Sequence, residues 1–188
     1  MSLESFVTWL GDTPGSIALH ESQYMYTWIE SAHVLAITLF AGTIALVDLR
    51  LMGVAFRSVP VSQMNARTLP WTVAGFVVMV ATGLLLFYAI PVRTFHSVWF
   101  RTKLLLLLIA GINVLVLHLL VERSRADWDT WPRPPAAARL SGALSLVMWI
   151  GVIVCGRMIA YNWFDCDRPQ GELVSAIASC PVIPGLNP

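Results

Sequence analysis

The sequence predicts an all-α protein: a four-helix transmembrane bundle with an N-terminal amphipathic surface helix and a periplasmic C-terminal tail. Three observations carry this expectation. Of 188 residues, 57% are hydrophobic and only 12% are charged, roughly half the charged share of a soluble domain. The mean hydropathy is +0.70. Four apolar runs reach the ~20 residues a helix needs to cross a ~30 Å hydrocarbon core. This composition excludes a soluble enzyme, a disordered chain and a nucleic-acid binder.

The chain begins with Leu3, Phe6, Val7 and Leu10 at i, i+3, i+4, i+7 spacing, which predicts a short amphipathic helix on the outer membrane surface. It lacks the basic region and cleavage site of a signal peptide. Gly11-Asp12-Thr13-Pro14-Gly15 breaks that helix. Thr13 is placed to cap a second short helix with Pro14 in its first position, carrying His20 and Glu21 towards the first span. The spans are expected at about Trp28–Val47, Trp71–Ile90, Thr102–Leu120 and Leu140–Ala160. Each is apolar all round and without alternation, so helices are favoured over barrel strands. Trp28, Trp71, Trp99 and Trp163 stand at span ends, as an aromatic belt requires. One transmembrane domain results, with an interfacial segment (1–24), the bundle (25–163) and the tail (164–188).

The loops following the first and third spans carry seven Arg: Arg50, Arg57, Arg67, Arg123, Arg125, Arg133 and Arg139. The other side has Arg93, Arg101 and Arg168. The positive-inside rule then predicts a bacterial inner-membrane protein with both termini periplasmic. The tail holds Cys166 and Cys180 among several prolines. A disulfide there suits an oxidising compartment and, in the chain-entropy model, contributes ~3 kcal/mol for a loop of ~15 residues. Cys155 lies within the fourth span and reads as a packing residue.

Ionisable groups inside a span are costly and are functional candidates. Glu30 and His33 share one face of the first span. Lys103 begins the third span and Arg157 ends the fourth, both at the outer level. One reading makes these groups structural, with Glu30 paired to Arg157 or Lys103. The other makes them a haem b site: an imidazole as axial ligand, with Arg157, Arg101, Lys103 and Arg93 available to the propionates. The four histidines are His20, His33, His96 and His118. At ~1.5 Å rise per residue, His33 and His118 differ in depth by ~16 Å, which is large for one upright haem. One outer haem held by His33 with His96, His20 or Lys103 is easier. His118 would serve a second haem, or a proton or quinone reaction. No C-x-x-C, H-E-x-x-H or i, i+4 His pair points to zinc or copper, and no phosphate loop or nucleophile elbow is visible.

Two segments carry a resemblance. Trp28-Ile-Glu-Ser-Ala-His33-Val-Leu, followed by Gly42 and Asp48-Leu-Arg50-Leu-Met-Gly53, resembles the first span of a bacterial inner-membrane family of unknown function. Trp99-Phe-Arg-Thr-Lys103-Leu-Leu, with Asn113 and His118 beyond it, is similar to that family's third span. Both segments are also similar to the HemJ-type protoporphyrinogen oxidases and the copper-resistance D-type membrane proteins. The HemJ resemblance implies a haem b held by a His in the first span and a Lys in the third, which here are His33 and Lys103. The N-terminal surface helix and the Cys-bearing tail depart from the HemJ pattern.

The functional expectation is a haem b-binding membrane subunit, with one haem or two, passing electrons between a periplasmic redox partner and the quinone pool. Any enzyme activity would be that of an oxidoreductase subunit, and no catalytic residue is assigned. The alternatives are a non-catalytic anchor or assembly subunit, a small transporter, and a HemJ-type oxidase. The partners implied are the lipid bilayer and other subunits on the periplasmic face.

Overall fold

The computed structural model describes residues 2–121, 125–161, 163, 164, 166 and 171–180. Every regular element among them is helical: α1 (Leu3–Gly11), α2 (Pro14–Glu21), α3 (Gln23–Leu51), α4 (Val61–Ala89), α5 (Pro91–Phe95), α6 (Val98–Val116), α7 (Arg125–Trp128), α8 (Ala136–Ile159) and α9 (Glu172–Ala178). A π-helical turn, Leu117–Val121, continues α6. Four helices are long and apolar enough to cross a membrane, namely α3, α4, α6 with part of its π turn, and α8. The protein is thus a multi-pass membrane protein. Arg123 and Arg168, two of the loop and tail cations counted above, lie outside the described residues, as do the tail prolines Pro169, Pro181, Pro184 and Pro188.

The chain divides into two compact units. The first comprises Met1–Ser31, Ala81–Leu105 and Val152–Pro188. Here α1 is capped by Ser2, whose hydroxyl accepts the Ser5 N–H at 3.2 Å. Its helix buries Val7 and leaves Leu3 and Phe6 of the expected stripe exposed, along with Trp9 on another face. Gly11 lets α1 approach Pro91 of α5, where a Cβ would lie 3.4 Å from the proline ring. Thr13 stands at the N-cap of α2 without a side-chain cap bond. Its hydroxyl instead donates to the Leu10 carbonyl at 2.7 Å and meets the Tyr88 hydroxyl at 2.8 Å. Ser16 donates to the Tyr88 carbonyl at 2.7 Å, so α2 is fixed to the end of α4.

The tail belongs to the same unit. Cys166 and Cys180 form a disulfide, with Cα atoms 5.3 Å apart, as the sequence led us to expect. The bond closes the tail around α9, whose C-terminus is held by two side chains. Arg101 donates through Nη2 to the Ala178 carbonyl at 2.9 Å, through Nη1 to the Ser179 hydroxyl at 3.0 Å, and also to the Ile177 carbonyl. His96 Nδ1 lies 3.0 Å from the Ala178 carbonyl. The last carbonyls of a helix lack partners within it and favour a cation, and Arg101 supplies both. The unit also caps α6, whose Val98 N–H donates to the Phe164 carbonyl at 3.1 Å.

The second unit comprises Ala32–Val80 and Leu106–Gly151. Small residues set its helix contacts, as lipid-embedded packing favours. A Cβ on Gly75 would lie 2.9 Å from the Phe40 backbone nitrogen, and one on Gly142 would lie 2.9 Å from the Asp48 carbonyl oxygen. Phe40 packs edge-on against Trp149 at 4.8 Å and against Phe76 at 5.5 Å. Asn113 and Ser141 exchange two hydrogen bonds of 3.0 Å between α6 and α8.

The helix ends of this unit depart from the expected spans. The chain is helical to Leu51, four residues past Val47, and α4 begins at Val61, ten before Trp71. Gly53 (φ +67°) follows α3 in a left-handed cap, with Val54 N–H donating to Leu49 and Gly53 N–H to Arg50. The start of α4 is capped from a distant loop. Asp129 accepts the Ser62 N–H at 2.7 Å and the Ser62 hydroxyl at 2.5 Å, and its carbonyl accepts the Val61 N–H at 3.2 Å. Helix α4 then runs through Pro70, which membrane helices tolerate.

Candidate functional site

In the first unit, Tyr26 and Glu30 lie near one another in the opening turns of α3, with Arg93 of α5 close to Tyr26. Lys103, in the first turns of α6, directs its amine towards α8: a Cβ on Gly156 would lie 3.6 Å from Lys103 Nζ, and the Cys155 thiol is its neighbour. Cys155 is buried, and the absence of a side chain at Gly156 leaves room for the amine. One turn earlier on the same face of α6, Trp99 has a buried indole N–H without an acceptor. The face thus combines an amine, which when neutral can donate its electron pair to a metal, and an indole N–H, which can donate a hydrogen bond to an oxygen.

The arginines expected near this level have other contacts. Arg157 is exposed on α8 and donates to the Tyr161 hydroxyl at 3.0 Å, its guanidinium 5.0 Å from that ring. Arg93 donates to the Ile159 carbonyl at 3.4 Å, closing the end of α8. Arg101 holds α9, stacks on Phe95 at 5.2 Å, and donates through Nε to the Phe95 carbonyl at 3.2 Å.

The histidines separate into distinct environments. His20 is exposed in the last turn of α2. His96 is 8% exposed, and its Nδ1 carries the hydrogen, since its partner there is a carbonyl. In the second unit, His33 is half-buried in α3 and His118 is exposed on the π turn. Among the described residues no group of three or more His, Cys, Asp or Glu side chains converges as a metal site. A haem needs no such group, because one or two axial donors suffice.

Two ionisable residues of α3 were missed by placing the end of the first span at Val47. Asp48 is 5% exposed, and one of its oxygens, Oδ2, is buried without a partner. Arg50 is 0% exposed and donates through Nε to the Val59 carbonyl at 2.5 Å and through Nη2 to Trp131 at 2.9 Å and Asp129 at 3.3 Å. The Asp48-Leu-Arg50 sequence itself was the available signal, since two opposite charges abutting an apolar run mark either its end or a buried polar site.

The model of a family of unknown function (DUF6644) matches residues 2–162. The chain belongs to that family. No curated protein and no solved structure matches it.

Proposed function

We propose that this DUF6644 family member is a haem b-binding membrane subunit that carries electrons between a redox partner and the quinone pool. The observation that supports this best is the Trp99–Lys103 face of α6. An amine within a membrane span is costly unless it serves a ligand or an ion path. Here its described neighbours are a thiol and a glycine. Imidazole and amine nitrogens are donors that haem iron accepts, so the chemistry of Lys103, or of His33, fits the group. Those are also the two positions to which the similarity with HemJ-type proteins points.

Bound haem b would supply one-electron redox chemistry. The chain's own residues bind and orient. Either Lys103 of the first unit or His33 of the second would hold the group through its nitrogen. The Trp99 N–H and the exposed Arg157 are the groups suited to propionate oxygens, while Arg101 and His96 hold the tail. His118 remains a candidate for a second haem or for a proton or quinone reaction, and His20 for the outer site. The distribution of arginines and the Cys166–Cys180 disulfide support an inner-membrane location with both termini in the periplasm.

An absorption spectrum of the detergent-purified full chain tests the proposal. A Soret band with a b-type α band on reduction is expected, with either His33→Ala or Lys103→Met losing most of the haem. A colourless preparation from haem-replete cells refutes it.

One observation favours a second reading, that of an anchor or assembly subunit. The disulfide-closed tail presents Leu173 and Ile177, 74% and 45% exposed, as an apolar face on an anchored helix. Co-purification with a partner through that face, without haem, would establish this reading.

A further inference from the structure

We propose that Asp48 is a proton-holding carboxyl whose proton exchanges with water. The inference rests on what surrounds the group. Asp48 lies one turn before the end of α3 and is 5% exposed. The Ser145 hydroxyl of α8 is in hydrogen-bonding contact with the carboxyl. The Oδ2 atom is buried and has no partner. Helix α8 comes so close at Gly142 that a Cβ there would lie 2.9 Å from the Asp48 carbonyl oxygen. The α8 residues that meet Asp48, Gly142 and Ser145, carry no charge.

Of the charged groups near this end, Arg50 keeps one buried nitrogen, Nη1, without a hydrogen-bond partner, and its other donors are engaged with backbone carbonyls. Arg50, two residues on, spends Nε and Nη2 on the carbonyls of Val59, Asp129 and Trp131. The Asp129 carboxylate caps Ser62. A charged carboxylate buried with an unpartnered oxygen, and with no ion pair to a cation among its described neighbours, carries a heavy desolvation cost that the protonated form avoids. In the neutral acid the Ser145 hydroxyl meets one oxygen, and leaving the other without a partner costs less than it does for the charged form.

A polar route leads away from it. Ser141 lies one turn from Ser145, nearer the start of α8, and its hydroxyl donates to Asn113 Oδ1 at 3.0 Å. Asp48, Ser145 and Ser141 are 5%, 6% and 8% exposed, so this file runs through otherwise apolar packing. Buried carboxyl groups within a span are the materials of intramembrane proton relays. Such a store would serve a membrane reaction in which electron uptake is matched by proton uptake.

Infrared spectroscopy of the full chain in lipid nanodiscs tests this, and it needs no haem. Its failure therefore leaves the electron-carrier proposal standing. The wild type is expected to show the C=O stretch of a protonated carboxyl at neutral pH, moving to lower frequency in D2O and absent from Asp48→Asn. Ser145→Ala, which removes only the hydroxyl partner, is expected to raise the frequency of the band and serves even if Asp48→Asn does not fold. The proposal is overturned by a wild type without the band, by a band that survives in Asp48→Asn or ignores Ser145→Ala, or by one that never shifts in D2O.

Discussion

Helix α9 has seven residues, and an isolated helix shorter than ~12 residues is marginal in water. It exists because its C-terminus is docked, and replacing Arg101 with Ala tests that dependence. The substitution removes three hydrogen bonds to the tail, on Ile177, Ala178 and Ser179, and leaves His96 on the Ala178 carbonyl. Hydrogen bonds from a charged donor are worth ~1.5–3 kcal/mol each when well buried. Arg101 is half-buried, Ser179 is exposed, and the three bonds share one side chain, so their sum overstates the effect. A net loss of ~2 kcal/mol is reasonable after screening, and it corresponds to ~30-fold in the opening equilibrium. Hydrogen exchange of the 171–180 segment in detergent should therefore quicken ~30-fold, while the α8 amides are unchanged. The Cys166–Cys180 bond remains in the variant, so the measurement reads undocking and not loss of the tail. Exchange within ~3-fold of the wild type would show that the guanidinium is not what holds the helix.

Replacing both Cys166 and Cys180 with Ser should cost the tail ~3 kcal/mol, and combining it with Arg101→Ala should leave the α9 amides unprotected in the same exchange measurement. Gly142→Ala should lower bundle stability by ~1–3 kcal/mol in a detergent denaturation titration, because its Cβ meets the Asp48 carbonyl oxygen at 2.9 Å. Gly42→Ala, with nothing within 4 Å of its Cβ, should be neutral or stabilising by up to ~1 kcal/mol. Arg50→Met should cost ~3 kcal/mol in the same titration, since the buried carbonyls of Val59 and Trp131 lose their donor; an unchanged midpoint would mean that water replaces the guanidinium.

The four spans were legible because a long apolar run has few other uses, and α1 because its spacing leaves one apolar stripe. The ends were not legible. Ser62, Gln63, Asn65, Arg67 and Pro70 read as loop, yet they lie in α4, because the cap that starts the helix comes from Asp129, 67 residues away from Ser62. The short α5 and α9 were also unforeseen. Helix α9 depends on Arg101 and His96, 77 and 82 residues from the carbonyl they share. No local pattern encodes such a contact, although the spacing of Cys166 and Cys180 did indicate an ordered tail.

The same limitation explains why counting cations misjudges a membrane site. Arginine has five donors on a rigid fork, and helix ends leave carbonyls without partners. In a bundle these needs meet: Arg50 closes the loops at the Leu51 end, Arg93 closes α8, and Arg101 closes α9. From sequence, Arg93 and Arg101 look like free charges at the level of a cofactor, but the structure gives them work on the backbone. Lys103 and Asp48 differ because their described neighbours are a thiol and a glycine in one case, and a hydroxyl and a glycine in the other. Neither group closes a helix end, and each lies within a membrane span. The chemistry of this protein should therefore be sought at these two side chains before it is sought among its more numerous arginines.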